Sequence, residues 1–192
     1  AAGKVQLIAA EVELVGEKIM HSIFEAGYNI DCIDDEMLKT IGKVEGDNLD
    51  LGESKYRVVV LPGIERMPLE SLRKLDEFVK EGGILIASRR KPEVAPGLKT
   101  TEREQNEFNE ISKRLFGGTT ANVKFVQADE EVGNTLKTLL QPDAAISPAV
   151  KDFGFVHRRT EAADIYFVPI TTHQKQTVKY SFKTPGSPAE SW

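Results

Sequence analysis

The stretch Tyr56-Arg57-Val58-Val59-Val60-Leu61-Pro62-Gly63 decides the fold. Four apolar residues in a row, three of them β-branched, run into a Pro-Gly turn. A short continuous apolar run of this kind predicts a strand buried on both faces, the habit of a parallel sheet. Helical spacing follows from Pro68 to Glu81. Leu69, Leu72, Leu75, Phe78 and Val79 form its buried stripe, Pro68 suits the first turn, and Gly82-Gly83 is the stop. A second apolar run, Ile84-Leu85-Ile86-Ala87, comes next. Strand, helix and strand in this order make one βαβ unit, with a right-handed crossover expected.

Upstream, Lys4 to Ala10 fits either a first strand or the start of the first helix. Val12, Val15, Ile19, Ile23 and Ala26 fall at helical spacing, and Gly27 supplies the stop. Tyr28 to Ile33 alternates and predicts a strand; Asp34 then predicts the N-cap of a short helix, Asp35 to Ile41. Lys43-Val44-Glu45 and Leu49-Asp50-Leu51 flank Gly46-Asp47-Asn48, which predicts a hairpin.

Downstream, Arg89 to Lys99 predicts a loop, and Thr101 with Glu104 fits a capping box. The helix after it buries Phe108, Ile111, Leu115 and Phe116. Val123 to Val126 predicts a strand. Asp129 predicts the cap of a last helix with Val132, Leu136, Leu139 and Leu140 inward.

Residues 1–148 thus alternate β and α with four or five strands, a doubly wound, flavodoxin-like three-layer α/β sandwich. Residues 149–192 change pattern. Phe153 to Thr160, Ala163 to Ile170 and Gln174 to Lys183 predict an antiparallel meander, an incomplete β-sandwich packed on the first domain.

The chain has 192 residues, 40% hydrophobic and 29% charged, enough for a packed core. The net charge of -5, with no basic block beyond Arg89-Arg90-Lys91, argues against a nucleic-acid partner. No apolar run reaches the length of a membrane span, so no membrane partner is expected. The single cysteine, Cys32, and three scattered histidines predict neither an internal disulfide nor a metal site. The start at Ala1-Ala2-Gly3 and the end at Trp192 suggest an excised fragment or a processed chain, so localisation is not read from this N-terminus.

Four side chains occupy expected strand-end positions, where doubly wound folds bind ligands. Asp34 and Asp35 follow one predicted strand; two carboxylates there can hold a metal or act as acid and base, but helix capping and the helix dipole explain them as well. Glu65 follows the central strand in a loop with too little glycine to cradle phosphate. Ser88 ends the next strand, where a nucleophile elbow would lie, yet Arg89-Arg90-Lys91 replaces the small residues that an elbow needs. The cluster His157-Arg158-Arg159-Thr160 fits a charged edge that blocks aggregation, or a polar contact with another domain or an anionic group.

Asp152-Phe153-Gly154-Phe155-Val156-His157-Arg158-Arg159-Thr160, followed by Ala163-Asp164-Ile165-Tyr166-Phe167-Val168, resembles a segment of the α-L-rhamnosidase family of glycoside hydrolases. The family pattern is HRRT, a turn, AD-x-YF-x, and then a strand ending in E-x-W, matched by Ser181-Phe182-Lys183 and Glu190-Ser191-Trp192. Asp34-Asp35-Glu36 with Leu38, Tyr56 to Pro62, Met67-Pro68-Leu69-Glu70 and Pro142-Asp143 are similar to that family's accessory domain, of class I glutamine-amidotransferase-like fold. The resemblance implies a parent that hydrolyses terminal rhamnosides of plant or microbial polysaccharide and is secreted or periplasmic. Its paired carboxylates and a calcium ion belong to a separate barrel domain; no residue here matches those positions, so none is catalytic by resemblance and no cofactor is implied for this chain. The chain is then a non-catalytic accessory region whose partners are the barrel domain and carbohydrate, with His157, Arg158 and Arg159 as interface or ligand residues. Two alternatives stay open: a degenerate glutamine-amidotransferase-like hydrolase, and a nucleotide- or flavin-binding flavodoxin-like module.

Overall fold

The computed structural model describes residues 15–97, 100–147, 154–160, 162–169 and 177–183. Lys4 to Ala10 and Val12 lie outside them. The first helix, α1 (Glu17–Glu25), buries Ile19 and Ile23, one turn apart on a single face. Gly27 ends it at φ 92°, and a side chain there would meet the Ala144 carbonyl oxygen at 1.8 Å. Only glycine fits that position, because its amide plane also receives the chain beyond the last helix: Asp143 and Ala144 both donate backbone N–H to the Gly27 carbonyl.

Helix α2 (Asp35–Thr40) starts as expected, with Asp34 Oδ1 accepting from the Met37 amide at 2.8 Å. The predicted hairpin is a three-stranded antiparallel meander of β1 (Gly42–Glu45), β2 (Asn48–Leu51) and β3 (Ser54–Tyr56). Its third strand escapes sequence reading because it runs almost directly into the central strand.

That strand, β4 (Val58–Pro62), pairs in parallel with β5 (Ile84–Ser88), which pairs in parallel with β6 (Val123–Val126). Helix α3 (Leu69–Lys80) joins the first two strands, and α4 (Glu102–Phe116) the last two. The Thr101–Glu104 capping box that predicts the start of α4 is formed in both directions. A 3-10 turn, Asp129–Glu131, leads into α5 (Val132–Leu139).

The period of two along β5 sorts the core into two layers. Leu85 and Ala87 face the layer of α3 and α4, with Leu72, Leu75, Phe78, Phe108, Ile111 and Leu115. Ile84 and Ile86 face the layer of α1 and α5, with Ile19, Ile23, Val132 and Leu136. Each fully buried leucine or phenylalanine contributes about 1.5–3 kcal/mol. Successive crossovers of one hand put α3 and α4 on the same face. The two helices opposite are locked by Ser22, whose hydroxyl donates to the Glu130 carbonyl and accepts from the Gly133 amide.

Three expectations need correction. Tyr28 to Ile33 pairs with no strand among the described residues, so the parallel sheet has three strands there rather than four or five. The segment is extended and its Asp31 carboxylate accepts from the Tyr56 hydroxyl at 2.7 Å, but a cleft separates it from β4. Alternation signals extended chain; it does not supply the neighbour that makes a strand. Secondly, the described strands of the tail do not form one meander. β8 (Val156–Arg159) pairs with β9 (Asp164–Phe167), whereas β10 (Lys179–Phe182) pairs with β7 (Ala144–Ser147). The latter ladder joins residues on either side of position 148. Thirdly, Asp129 is not a side-chain cap; its carboxylate is taken up at the end of β5. The predicted runs at Phe153, Ile170 and Gln174–Gln176 lie outside the described residues.

Candidate functional site

The carboxyl edge of the parallel sheet gathers Ser88, Arg89, Asp129, Gly63 and Glu65. Ser88 is 0% exposed. Its hydroxyl donates to Asp129 Oδ1 at 2.7 Å, and Arg89 Nε donates to the same oxygen at 3.0 Å. Arg89 Nη2 reaches the Val15 carbonyl. Arg89 adopts φ 63°, the only non-glycine residue in the left-handed region among those described. This conformation costs an arginine about 1–2 kcal/mol, and the Asp129 pair holds it. Gly63 accepts the guanidinium at close range, for a side chain there would lie 3.0 Å from Arg89 Cζ. Its amide donates to the Ser88 carbonyl at 2.9 Å.

The other strand-end residues are also engaged. Glu65 pairs with Arg90. Asp35 accepts from the Ser71 hydroxyl at 2.5 Å, and Asp34 is the cap of α2. These carboxylates do not converge with Ser88, and no histidine ring bonds any of them among the described residues. Nor, among the described residues, is any group of three or more His, Cys, Asp or Glu placed to hold a metal.

A second cluster forms in the tail. The β8–β9 register sets His157 opposite Tyr166 and Arg159 opposite Asp164. The His157 and Tyr166 rings stack at 4.1 Å and 10°. His157 Nδ1 lies 2.7 Å from Asp143 Oδ2, and Nε2 lies 2.9 Å from Asp164 Oδ1. Both contacts can be donor bonds only when both ring nitrogens carry hydrogen. Arg159 Nε donates to Asp164 Oδ1 at 2.8 Å. The Arg159 and His157 hydrogen bonds hold the Asp164 carboxyl below the usual carboxylate range. Burial, reinforced by Asp143, pushes the Tyr166 hydroxyl up to about 12. With both nitrogens engaged, His157 ties the hairpin to the loop before β7. Arg158 points the other way, exposed beside Ile165 and Val156.

Sequence reading found His157 and Arg159 but pointed them at another domain or an anionic ligand and gave neither a partner within the chain. The signal was present: Thr160 accepts amides from Ala162 and Ala163, a tight turn that sets the register. Asp129 carried no signal, because a residue before a helix looks the same whether it caps the helix or pairs with a distant strand.

A third feature is a cleft of about 470 Å³ between Tyr28–Ile33 and β4. Its walls are mainly apolar, with Ile19, Ile23 and Leu136 on one side and Leu49 and Leu51 on the other.

The sequence was compared with known proteins. The model of the alpha-L-rhamnosidase family matches residues 12–192. A protein of Formosa agariphila named as a beta-glucuronidase is 28% identical over 175 residues, covering 91% of this chain and 14% of the relative. The solved structure of a rhamnosidase from Novosphingobium sp. PP1Y superposes with a TM-score of 0.59 at 24% identity, over 76% of this chain and 14% of that one, a likeness of fold. The chain therefore spans about 14% of the length of each of these relatives. The match of the family model over nearly the whole sequence places the chain in the alpha-L-rhamnosidase family, a family of glycoside hydrolases.

Proposed function

We propose that this chain is a non-catalytic accessory region of a longer, rhamnosidase-like glycoside hydrolase acting on plant or microbial polysaccharide. Bond cleavage belongs to a barrel domain outside this chain, with any calcium ion there. The observation that carries the reading is Ser88. A nucleophile needs exposure and a base in reach. Ser88 is buried, and the carboxylate its hydroxyl reaches, Asp129, is already ion-paired with Arg89.

The scaffold reading goes with it: a reduced flavodoxin-like or glutamine-amidotransferase-like sandwich. Arg89 supports the second form. A residue at positive φ directly after β5 has the backbone of a strained strand-end elbow, with a cation where a hydrolase would place its nucleophile. The purified chain, incubated with 4-nitrophenyl α-L-rhamnopyranoside, is expected to release no nitrophenol above the buffer rate. Turnover by this chain alone would overturn the accessory reading.

A further inference from the structure

Asp143 is the point at which the α/β layers and the tail strands meet. It sits in the loop between α5 and β7. Its amide donates to the Gly27 carbonyl behind α1, and its carbonyl accepts from the Lys183 amide just past β10. Its carboxylate turns to the β8–β9 hairpin, with Oδ2 at 2.7 Å from His157 Nδ1 and Oδ1 at 3.4 Å from the Tyr166 hydroxyl. Tyr166 also donates to the Lys183 carbonyl. The backbone of Asp143 thus belongs to the body of the molecule, while its side chain holds the hairpin. The apolar contact beside it is small: Ala144 and Phe155 are its buried members among the described residues, with Ile146, Tyr166, Val168 and Phe182 partly buried around them. A two-stranded hairpin is marginal in water on its own and depends on such attachments.

His157 is the centre of the attachment. Its side chain is 13% exposed and stacks on the Tyr166 ring. Each ring nitrogen faces a carboxylate, Asp143 across the joint and Asp164 within the hairpin. An imidazolium donates to both. A neutral ring has one N–H, so its other nitrogen turns a lone pair toward a carboxylate oxygen. Whichever hydrogen leaves, the clamp loses a bond and gains a repulsion. We propose that His157 is a protonation-dependent latch, which fastens the β8–β9 hairpin to the body through Asp143 when its ring carries both hydrogens and releases it when the ring is neutral. Among the described residues, the other charged or titratable groups facing it are Asp143, Asp164, Arg159 and Tyr166. The Arg159 hydrogen bond, then that of His157, holds Asp164 below the usual carboxylate range, and Asp164 in turn keeps the Arg159 guanidinium charged. Burial pushes Tyr166 up to about 12. These three keep their charge state between about pH 5 and pH 8, the range in which histidine titrates. Docking of the hairpin is therefore firmest in acid and weakens as pH rises through that range. This inference goes beyond the accessory reading and does not depend on where hydrolysis occurs.

Backbone amide exchange of the full 192-residue chain, corrected for the intrinsic pH dependence of exchange, tests it. From about pH 5.5 to about pH 8 the hydrogen-bonded amides of β8 and β9 should lose about tenfold in protection, the scale of one charge-assisted hydrogen bond, while those of β5 stay constant. His157→Gln, which has no titrating ring, should flatten the profile at its low-protection end. Asp143→Asn should flatten it too, because an amide accepts from a ring N–H or donates to a ring lone pair. Protection in β5 should be unchanged in both variants. Equal hairpin protection at both pH values in the wild type would overturn the proposal. So would protection that rises with pH, or a pH profile that survives His157→Gln.

Discussion

Ser88, Arg89 and Asp129 show how one oxygen can decide what a sheet edge does. Asp129 Oδ1 takes a hydrogen bond from each of the other two. Removing a partner therefore has unequal consequences. Ser88→Ala deletes a donor and leaves Asp129 its arginine, so it should cost about 1 kcal/mol. Asp129→Ala leaves a buried hydroxyl unpaired and releases the arginine that sits at positive φ, so it should cost about 3 kcal/mol. Urea unfolding of the two variants checks the order. A larger loss for Ser88→Ala would mean that the hydroxyl has another role. The position of Ser88 at the strand end was legible from the sequence; its burial and its partner, 41 residues away, were not.

Among the elements, those set by local chemistry were legible and those set by distant pairing were not. Apolar runs predicted β4 and β5, and Thr101 with Glu104 predicted the start of α4. β7 and β10, by contrast, find each other across more than thirty residues, and no local pattern encodes that partnership. Helix–helix ion pairs are equally silent in sequence. Asp76 of α3 accepts two hydrogen bonds from Arg114 of α4, at 3.0 and 2.7 Å, and pairs with Lys80 at 2.6 Å. Burial alone would raise its carboxyl, but the hydrogen bonds from Arg114 and Lys80 outweigh burial and hold it below the usual range. The sign follows from linkage. A carboxyl depressed in the folded state stabilises fully above its unfolded pKa of about 3.9 and loses that stabilisation as pH falls through the folded value. Asp76→Asn should thus be less stable than the wild type near neutrality by about 1 kcal/mol or less, since Arg114 and Lys80 are about half exposed. The difference should shrink below about pH 4. Unfolding midpoints at neutral and acid pH measure it; a gap that widens in acid would contradict the assignment.

The whole molecule combines a family membership with a set of spent functional groups. At the carboxyl edge of the sheet Ser88, Glu65 and Asp129 have structural partners, as do Asp34 and Asp35 at the start of α2. In the tail, His157 is clamped between Asp143 and Asp164. The tail motif was legible as a resemblance to the family, and the structure sets HRRT and AD-x-YF on neighbouring paired strands. The sequence was silent on the cleft beside β4.

The central claim is that the sheet edge is closed to chemistry. Labelling with a fluorophosphonate probe, read by mass spectrometry of the intact chain, tests it at the one hydroxyl in question. The account predicts no adduct at Ser88 in the folded protein. A stoichiometric adduct on Ser88, abolished by Ser88→Ala, would contradict it.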